Sequence, residues 1–325
     1  MWRGFSVAGL EQRQKATTFV VNNTQIMFKI IAIMFLGIAI GYLARKQRWV
    51  SVVGTTTMIT IVVLLFVMGG EIGGNEVVMS NLVGLGGEAL LIAVAATLGS
   101  LIMARIIYKA FLRGSEAMKG SMIIVGAFAI GCVAGALGWL PEWLLGGNVT
   151  MWILYALMLQ VGISIGCDER LKEILRTLSP RLLILPCATI VGTLISTFAI
   201  SFLLSRWSTA EVMAVGSGMG YYSLSSILIT SLKEPSIGAI AAAELGTIAL
   251  IANIFREMMT LLFAPLMVRW FSPLGPISAG GATTMDVTLP VITRISGKDW
   301  VFVSIVHGIV VDFSVPFLVP LFCSL

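Results

Sequence analysis

Apolar runs of about 20 residues recur along this sequence, at 26–44, 52–70, 82–107, 120–140, 149–167, 180–204, 209–232, 245–268 and 301–322. A helix of about 20 apolar residues matches the roughly 30 Å hydrocarbon core of a bilayer. So many such runs leave almost nothing to build a wetted surface: the chain is 58% hydrophobic and 11% charged. A soluble domain carries roughly 25% charged residues. The sequence therefore specifies an all-α polytopic membrane protein, multi-pass and bathed in membrane lipid, and excludes a soluble domain.

Two stretches break the pattern. "GSGMGYYSLSS" at 216–226 interrupts an apolar run with glycine, serine and tyrosine, and 273–297, containing "GGATTMDVTLP" at 280–290, is too polar for an ordinary span and too apolar for a free loop. Lipid offers no hydrogen bonds, so backbone at membrane depth leaves the helix only where it lines a cavity or is buried in protein. The expectation is about 8 full transmembrane helices plus two broken or re-entrant polar elements. The N–H and C=O groups freed near Gly218 and Gly220, with the hydroxyls of Tyr221, Tyr222, Ser223 and Ser225, would hold a polar ligand there. Asp286 supplies an acid to the second break.

The basic residues fall between the apolar runs. Arg45, Lys46 and Arg48 follow the first, Arg105, Lys109, Arg113 and Lys119 the third, and Arg170, Lys172, Arg176 and Arg181 the fifth, whereas 71–81 and 141–148 carry none. The positive-inside rule places the odd connections in the cytoplasm. A sequence pI near 9.2 is thereby read as topology, and no nucleic-acid partner is expected. If 273–297 crosses, both termini lie outside; if it alone re-enters, the C-terminus lies inside. The tail 1–25 holds Arg3, Glu11, Arg13 and Lys15 without an apolar signal core. Because Met27 opens a complete span, the tail is expected to be dispensable. Cys132, Cys167, Cys187 and Cys323 have neither CxxC nor metal-ligand spacing, so no disulfide, metal or cofactor is expected.

An internal repeat emerges when the runs are aligned. "VMGGEIGGNEVVMSNL" at 67–82 matches "QVGISIGCDERLKEIL" at 160–175, pairing Gly69 with Gly162 and Gly73 with Gly166, and "GIAIGYL" at 37–43 resembles "GCVAGAL" at 131–137. Three spans per unit is an odd number, so inverted three-helix repeats at 26–112 and 118–206 are expected, followed by a transport region at 207–325; inverted repeats of this kind recur in secondary transporters. The motif GxSxG at Gly162–Gly166, with His307, admits an intramembrane serine protease. Because the repeat places Glu71 opposite Ser164, that position reads as a polar site on a packed helix and not as a nucleophile.

Ionisable residues inside the runs cost at least ~2.5 to 3.5 kcal/mol each to insert, which makes them the sharpest functional signal. Arg256 and Glu257 fall at the middle of 245–268, about 100° apart around the helix, so at least one must find a partner elsewhere. Glu71 closes the second run among glycines. Glu244 reads as a helix cap, and Asp312 sits within the last run. The site residues singled out are Glu71, Glu257, Arg256, Asp286, Gly218, Gly220, Tyr222, Ser223 and Ser225.

"GSGMGYYSLSS", "ELGTIALIANIFRE", "GGATTMDVTLPVI" and "VHG", in that order, resemble the bacterial lysine exporter family of the LysO type; Tyr221 and Ser226 stand where the family pattern has Trp and Gly. The resemblance implies a transporter and not an enzyme. It would export L-lysine and toxic lysine analogues across the bacterial inner membrane by ion-coupled efflux or antiport, with Glu257 and Glu71 as essential acids. Substrate binding and coupling by protons or Na+ both stay open for these acids, as do a homo-oligomer and, as a second reading, a monovalent cation/proton antiporter.

Overall fold

The computed structural model describes residues 29–47, 49–111, 122–145, 147–168 and 180–325, which form helices and turns with no strand among them. In chain order the helices are α1 (Lys29–Ala44), α2 (Val50–Gly73), α3 (Glu76–Asn81), α4 (Gly86–Phe111), α5 (Met122–Ala136), α6 (Glu142–Leu145) and α7 (Asn148–Gly166). There follow α8 (Ile184–Ser201), α9 (Thr209–Gly216), α10 (Tyr222–Ile237), α11 (Ala239–Trp270), α12 (Gly275–Gly280), α13 (Leu289–Ile295) and α14 (Val301–Cys323). Six of these, α2, α4, α7, α8, α11 and α14, are long and apolar enough to cross a membrane, and α1 and α5 are shorter apolar helices. The tail 1–25 and Arg113, Lys119, Arg170, Lys172 and Arg176 lie outside the described residues.

Glycine decides which helices meet. A Cβ on Gly37 or Gly41 of α1 would strike the α7 backbone at Leu159 or Ile163, and one on Gly162 or Gly166 of α7 would strike α1 at Met34 or Ile38. The same lock recurs between α2 and α5, where Gly69 and Gly73 lie on Phe128 and Cys132, and Gly131 and Gly135 on Phe66 and Gly70. Small residues four apart let two helix backbones touch, which in lipid supplies dispersion contact that larger side chains would prevent. Since α2 also packs on α7, α1, α2, α5 and α7 form one group. The second group is built on α4 and α8, which face each other at Gly99 and Gly192, each glycine lying against the other's carbonyl. Helices α11 and α14 and both broken elements pack around that pair.

The run at 209–232, expected as a broken or re-entrant element, is a hairpin. Ser208 opens α9 with a capping box: its Oγ accepts from the Glu211 N–H at 3.3 Å while Glu211 Oε2 accepts from the Ser208 N–H at 2.8 Å. The other carboxylate oxygen of Glu211 lies 3.3 Å from Lys233 Nζ, near the far end of α10. The start of α9 and the end of α10 are thus at one level, and the chain between them turns back. The segment 275–295 turns back as well, because Ile277 of α12 and Ile292 of α13 share one apolar cluster with Leu185 and Ala104. Both polar stretches interrupt helices where the sequence placed the breaks, and each folds back on itself.

Where α7 ends and α14 begins, the two groups are pressed together. Leu157, Val161 and Ile165 of α7 share an apolar cluster with Leu261 and Val268 of α11 and Ile295 of α13. Beside it Lys298 Nζ donates to the Ser164 carbonyl at 2.9 Å and lies 3.6 Å from Asp168 Oδ2.

Candidate functional site

The two hairpins meet tip to tip. The Ala282 N–H donates to the Met219 carbonyl at 2.9 Å. This junction uses left-handed backbone at Met219 (φ 44°), Gly220 (φ 96°) and Gly281 (φ 63°), a region that glycine enters without a steric penalty. Space is short as well: a Cβ on Gly281 would strike the Met219 carbonyl, and one on Gly220 would lie 2.9 Å from the Gly280 carbonyl.

Helix α11 holds both tips through Asn253 and Arg256, three residues apart and so on neighbouring positions of one helix face. Asn253 Oδ1 accepts from the Gly220 N–H at 2.8 Å, and its amide nitrogen donates to the Ala249 carbonyl at 2.9 Å and to the Val215 carbonyl and Ser225 Oγ at 3.3 Å. Arg256, 1% exposed, donates to the carbonyls of Ala279 at 2.8 Å and Ser278 at 3.0 Å and to Thr193 Oγ1 at 3.2 Å. Those carbonyls end the short α12, where a cation complements the unpaired C=O groups. The partners that mid-helix Arg256 required are therefore backbone oxygens and a threonine hydroxyl.

His307 secures the second tip from the other side, with Nδ1 3.2 Å from Thr284 Oγ1 and Nε2 2.9 Å from Thr189 Oγ1. The Thr189 hydroxyl donates to Ser278 Oγ at 2.9 Å, and Ser304 Oγ donates to the Thr284 carbonyl at 2.8 Å. Both histidine nitrogens are engaged by threonines, while the carbonyl of Ser164 is held by Lys298. No serine–histidine dyad forms at GxSxG.

Glu257 is left pointing into open space. Two cavities adjoin it and share Glu257 and Tyr222 as wall. The larger, about 200 Å³, is lined by Gly220, Tyr222, Ser223, Thr283, Asp286 and Asp312 besides Glu257. The smaller, about 150 Å³, is lined by Glu71 and Asn75 of the first group. Asp286 Oδ1 accepts from the Val287 N–H at 2.6 Å, and Glu71 Oε1 accepts from Thr150 Oγ1 at 2.6 Å and from the Gly147 N–H at 3.0 Å, tying α2 to the start of α7. Four carboxyl groups thus line the two cavities, and neither wall includes a lysine or arginine. Such walls present acceptor oxygens to a cationic group. Helix α10 starts at Tyr222 with no side-chain cap, so its first turn, which lines the larger cavity, offers N–H donors and the positive helix end to an anionic group.

The residues named from sequence thus separate into two sets. Glu257, Asp286, Gly220, Tyr222 and Ser223 line the larger cavity and Glu71 the smaller. Gly218 and Ser225 are buried behind the wall: a Cβ on Gly218 would strike the Asn253 side chain, and Ser225 Oγ donates to the Tyr222 carbonyl at 3.1 Å. Arg256 also points away from the cavity. Asp312 and Thr283 line the larger cavity and were not among them, nor was Asn253, which holds the first tip from behind the wall and stands in "IANIFRE" one turn before Glu257. Glu244 is not a cap: α11 starts five residues earlier, at Ala239, and Glu244 pairs with Arg206.

Residues 31–126 and 125–323 match the family model "Lysine exporter LysO". The chain is 28% identical over 321 residues to "Lysine exporter LysO" of Escherichia coli (strain K12), covering 92% of this chain and 100% of that protein. It is 30% identical over 206 residues to "Putative lysine exporter" of Haemophilus influenzae (strain ATCC 51907 / DSM 11121 / KW20 / Rd), covering 62% of this chain and 97% of that protein. No solved structure matches.

Proposed function

The chain belongs to the lysine exporter LysO family, and from that premise we propose that it exports L-lysine and toxic lysine analogues across the bacterial inner membrane, driven by a proton or other ion gradient. The observation that carries the reading is the pair of adjoining cavities walled by Glu71, Glu257, Asp286 and Asp312 with no basic residue. Lysine bears two ammonium groups and one carboxylate. Glu257 and Asp286 are placed to take one ammonium and Glu71 the other, while the first turn of α10 receives the carboxylate. The same carboxyl groups, empty of substrate, take up the coupling cation. Gly218, Ser225 and Arg256 shape the site without touching substrate.

In this reading the eight apolar helices α1, α2, α4, α5, α7, α8, α11 and α14 cross, and both hairpins re-enter from opposite faces. The count of crossings is then even and, with the basic connections inside, both termini lie outside. The reciprocal glycine contacts support inverted repeats: α1 on α7 and α2 on α5 are the same contact made twice, and α4 on α8 joins a helix to its counterpart. The outer ends of α2 and α7 border the acidic cavities, whereas the apolar cluster and Lys298 close the inner side. In this reading the state is outward-facing, the one from which an exporter releases cargo.

Purified protein in lysine-loaded vesicles, with and without an imposed pH or Na+ gradient, tests the reading. Efflux of labelled lysine that responds to the gradient and is lost in Glu257→Gln supports it. Gradient-driven Na+ or K+ exchange without lysine movement would replace it with the cation antiporter.

A further inference from the structure

A third cavity, about 290 Å³, lies between α2, α3 and α5 on one side and α11 on the other. Its wall is apolar, with Cys132, Val133 and Phe255 among its members. It shares Ile72, Val78, Ile254 and Met258 with the cavity that holds Glu71 and Glu257. Val133 is 57% and Met79 39% exposed on its rim. Four apolar side chains, Ile72 and Val78 on one side and Ile254 and Met258 of α11 on the other, therefore lie between this cavity and the acidic one. Together the two cavities form a crevice with carboxyl groups at one end and an apolar wall at the other.

We propose that this crevice binds medium-chain primary alkylammonium ions, with the ammonium at Glu257 and the alkyl tail passing between Ile72 and Met258 toward lipid, so that such amines block lysine export. The proposal rests on the reading of Glu257 as an ammonium site. Charge complementarity names the occupant: a neutral or anionic amphiphile gains nothing from the carboxyl end, and a short amine nothing from the apolar end. Each added methylene that leaves water strengthens binding by about three- to fourfold. Partition into lipid follows the same gradient, so chain length alone does not identify the site, and the crevice itself must be closed.

The experiment measures labelled lysine export from vesicles containing the full chain with butyl-, hexyl- and octylammonium, octanol or octanoate present, and dye retention monitors leak. The expected result is inhibition that strengthens from butyl- to octylammonium and is absent with octanol and octanoate. Val133→Trp and, as a second plug from the opposite rim, Met79→Trp are expected to keep lysine export while raising the half-inhibitory concentration of octylammonium at least tenfold. Equal inhibition of plugged and wild-type protein, or inhibition by octanol, overturns the proposal. Absence of inhibition while export still depends on Glu257 overturns it alone. Export independent of Glu257 overturns instead the reading on which it rests.

Discussion

Met219 and Ala282 join the two broken elements by one backbone hydrogen bond of 2.9 Å, and Gly281 sits beside it with left-handed backbone against the Met219 carbonyl. Gly281→Ala adds a Cβ where both conformation and space forbid it. We expect it to lower the thermal midpoint in detergent and to abolish export. Gly54→Ala, in helix α2 with nothing within 4 Å of the new methyl, is expected to be neutral or to stabilise by about 0.5 to 1 kcal/mol. Equal behaviour of the two variants would show that the junction is not tightly packed.

Glu257→Gln keeps shape and removes charge. Net lysine export is expected to vanish while the protein stays in the membrane. If the acid binds ammonium, lysine exchange across vesicles with no gradient fails too; if it serves only the coupling ion, exchange survives and becomes independent of pH. Wild-type export by the variant would reduce Glu257 to a packing residue. Asp286→Asn is expected to weaken export in the same assay.

Asn253 is the partner of the Gly220 N–H and of three other groups. Asn253→Ala leaves the buried Gly220 N–H unpaired, at about 1 to 3 kcal/mol. A marked fall in thermal midpoint should accompany loss of export. Full stability would mean that water replaces the amide and that the first break is not set by it.

Lys298→Met removes the ion pair that spans the two helix groups on the inner side. In a background lacking the native cysteines, Leu157→Cys is expected to react faster with thiol reagents from the inner face when Lys298 is Met, and Lys298→Arg should restore protection. Unchanged reactivity would exclude Lys298 from holding the inner side shut.

In the same background, cysteines at Asn148 and Ser324 should be labelled by impermeant reagents on intact cells, and one at Gly297 should not. Labelling at Gly297 with protection at Ser324 would reverse the proposed orientation.

Much of this architecture is legible in the sequence because lipid is an unforgiving solvent: the polar breaks at 216–226 and 280–290 had to line a cavity or be buried in protein, and at least one of Arg256 and Glu257 had to find a partner on another element. The glycines at 37, 41, 131, 135, 162 and 166 also announce close packing through spacing alone. What sequence could not convey is direction. A hairpin such as α9–α10 and a broken crossing have the same length and hydropathy, and only the meeting of Glu211 with Lys233 across the turn tells them apart. The roles of neighbouring residues are equally hidden. Arg256 and Glu257 look like one charged pair, yet about 100° of helix rotation sends the first to the end of α12 and the second into the cavity.

Helix α11 acts on the two hairpins as a tie rod. Asn253 grips one tip and Arg256 the other, so shifting either hairpin alone would strip partners from a buried amide or guanidinium. Local flap-like opening at one tip is therefore disfavoured relative to displacement of hairpins and rod as a single rigid body. The surface along which such a body would slide is the face of the glycine-locked quartet, and Glu257, fixed to the rod between its two grips, would ride with it.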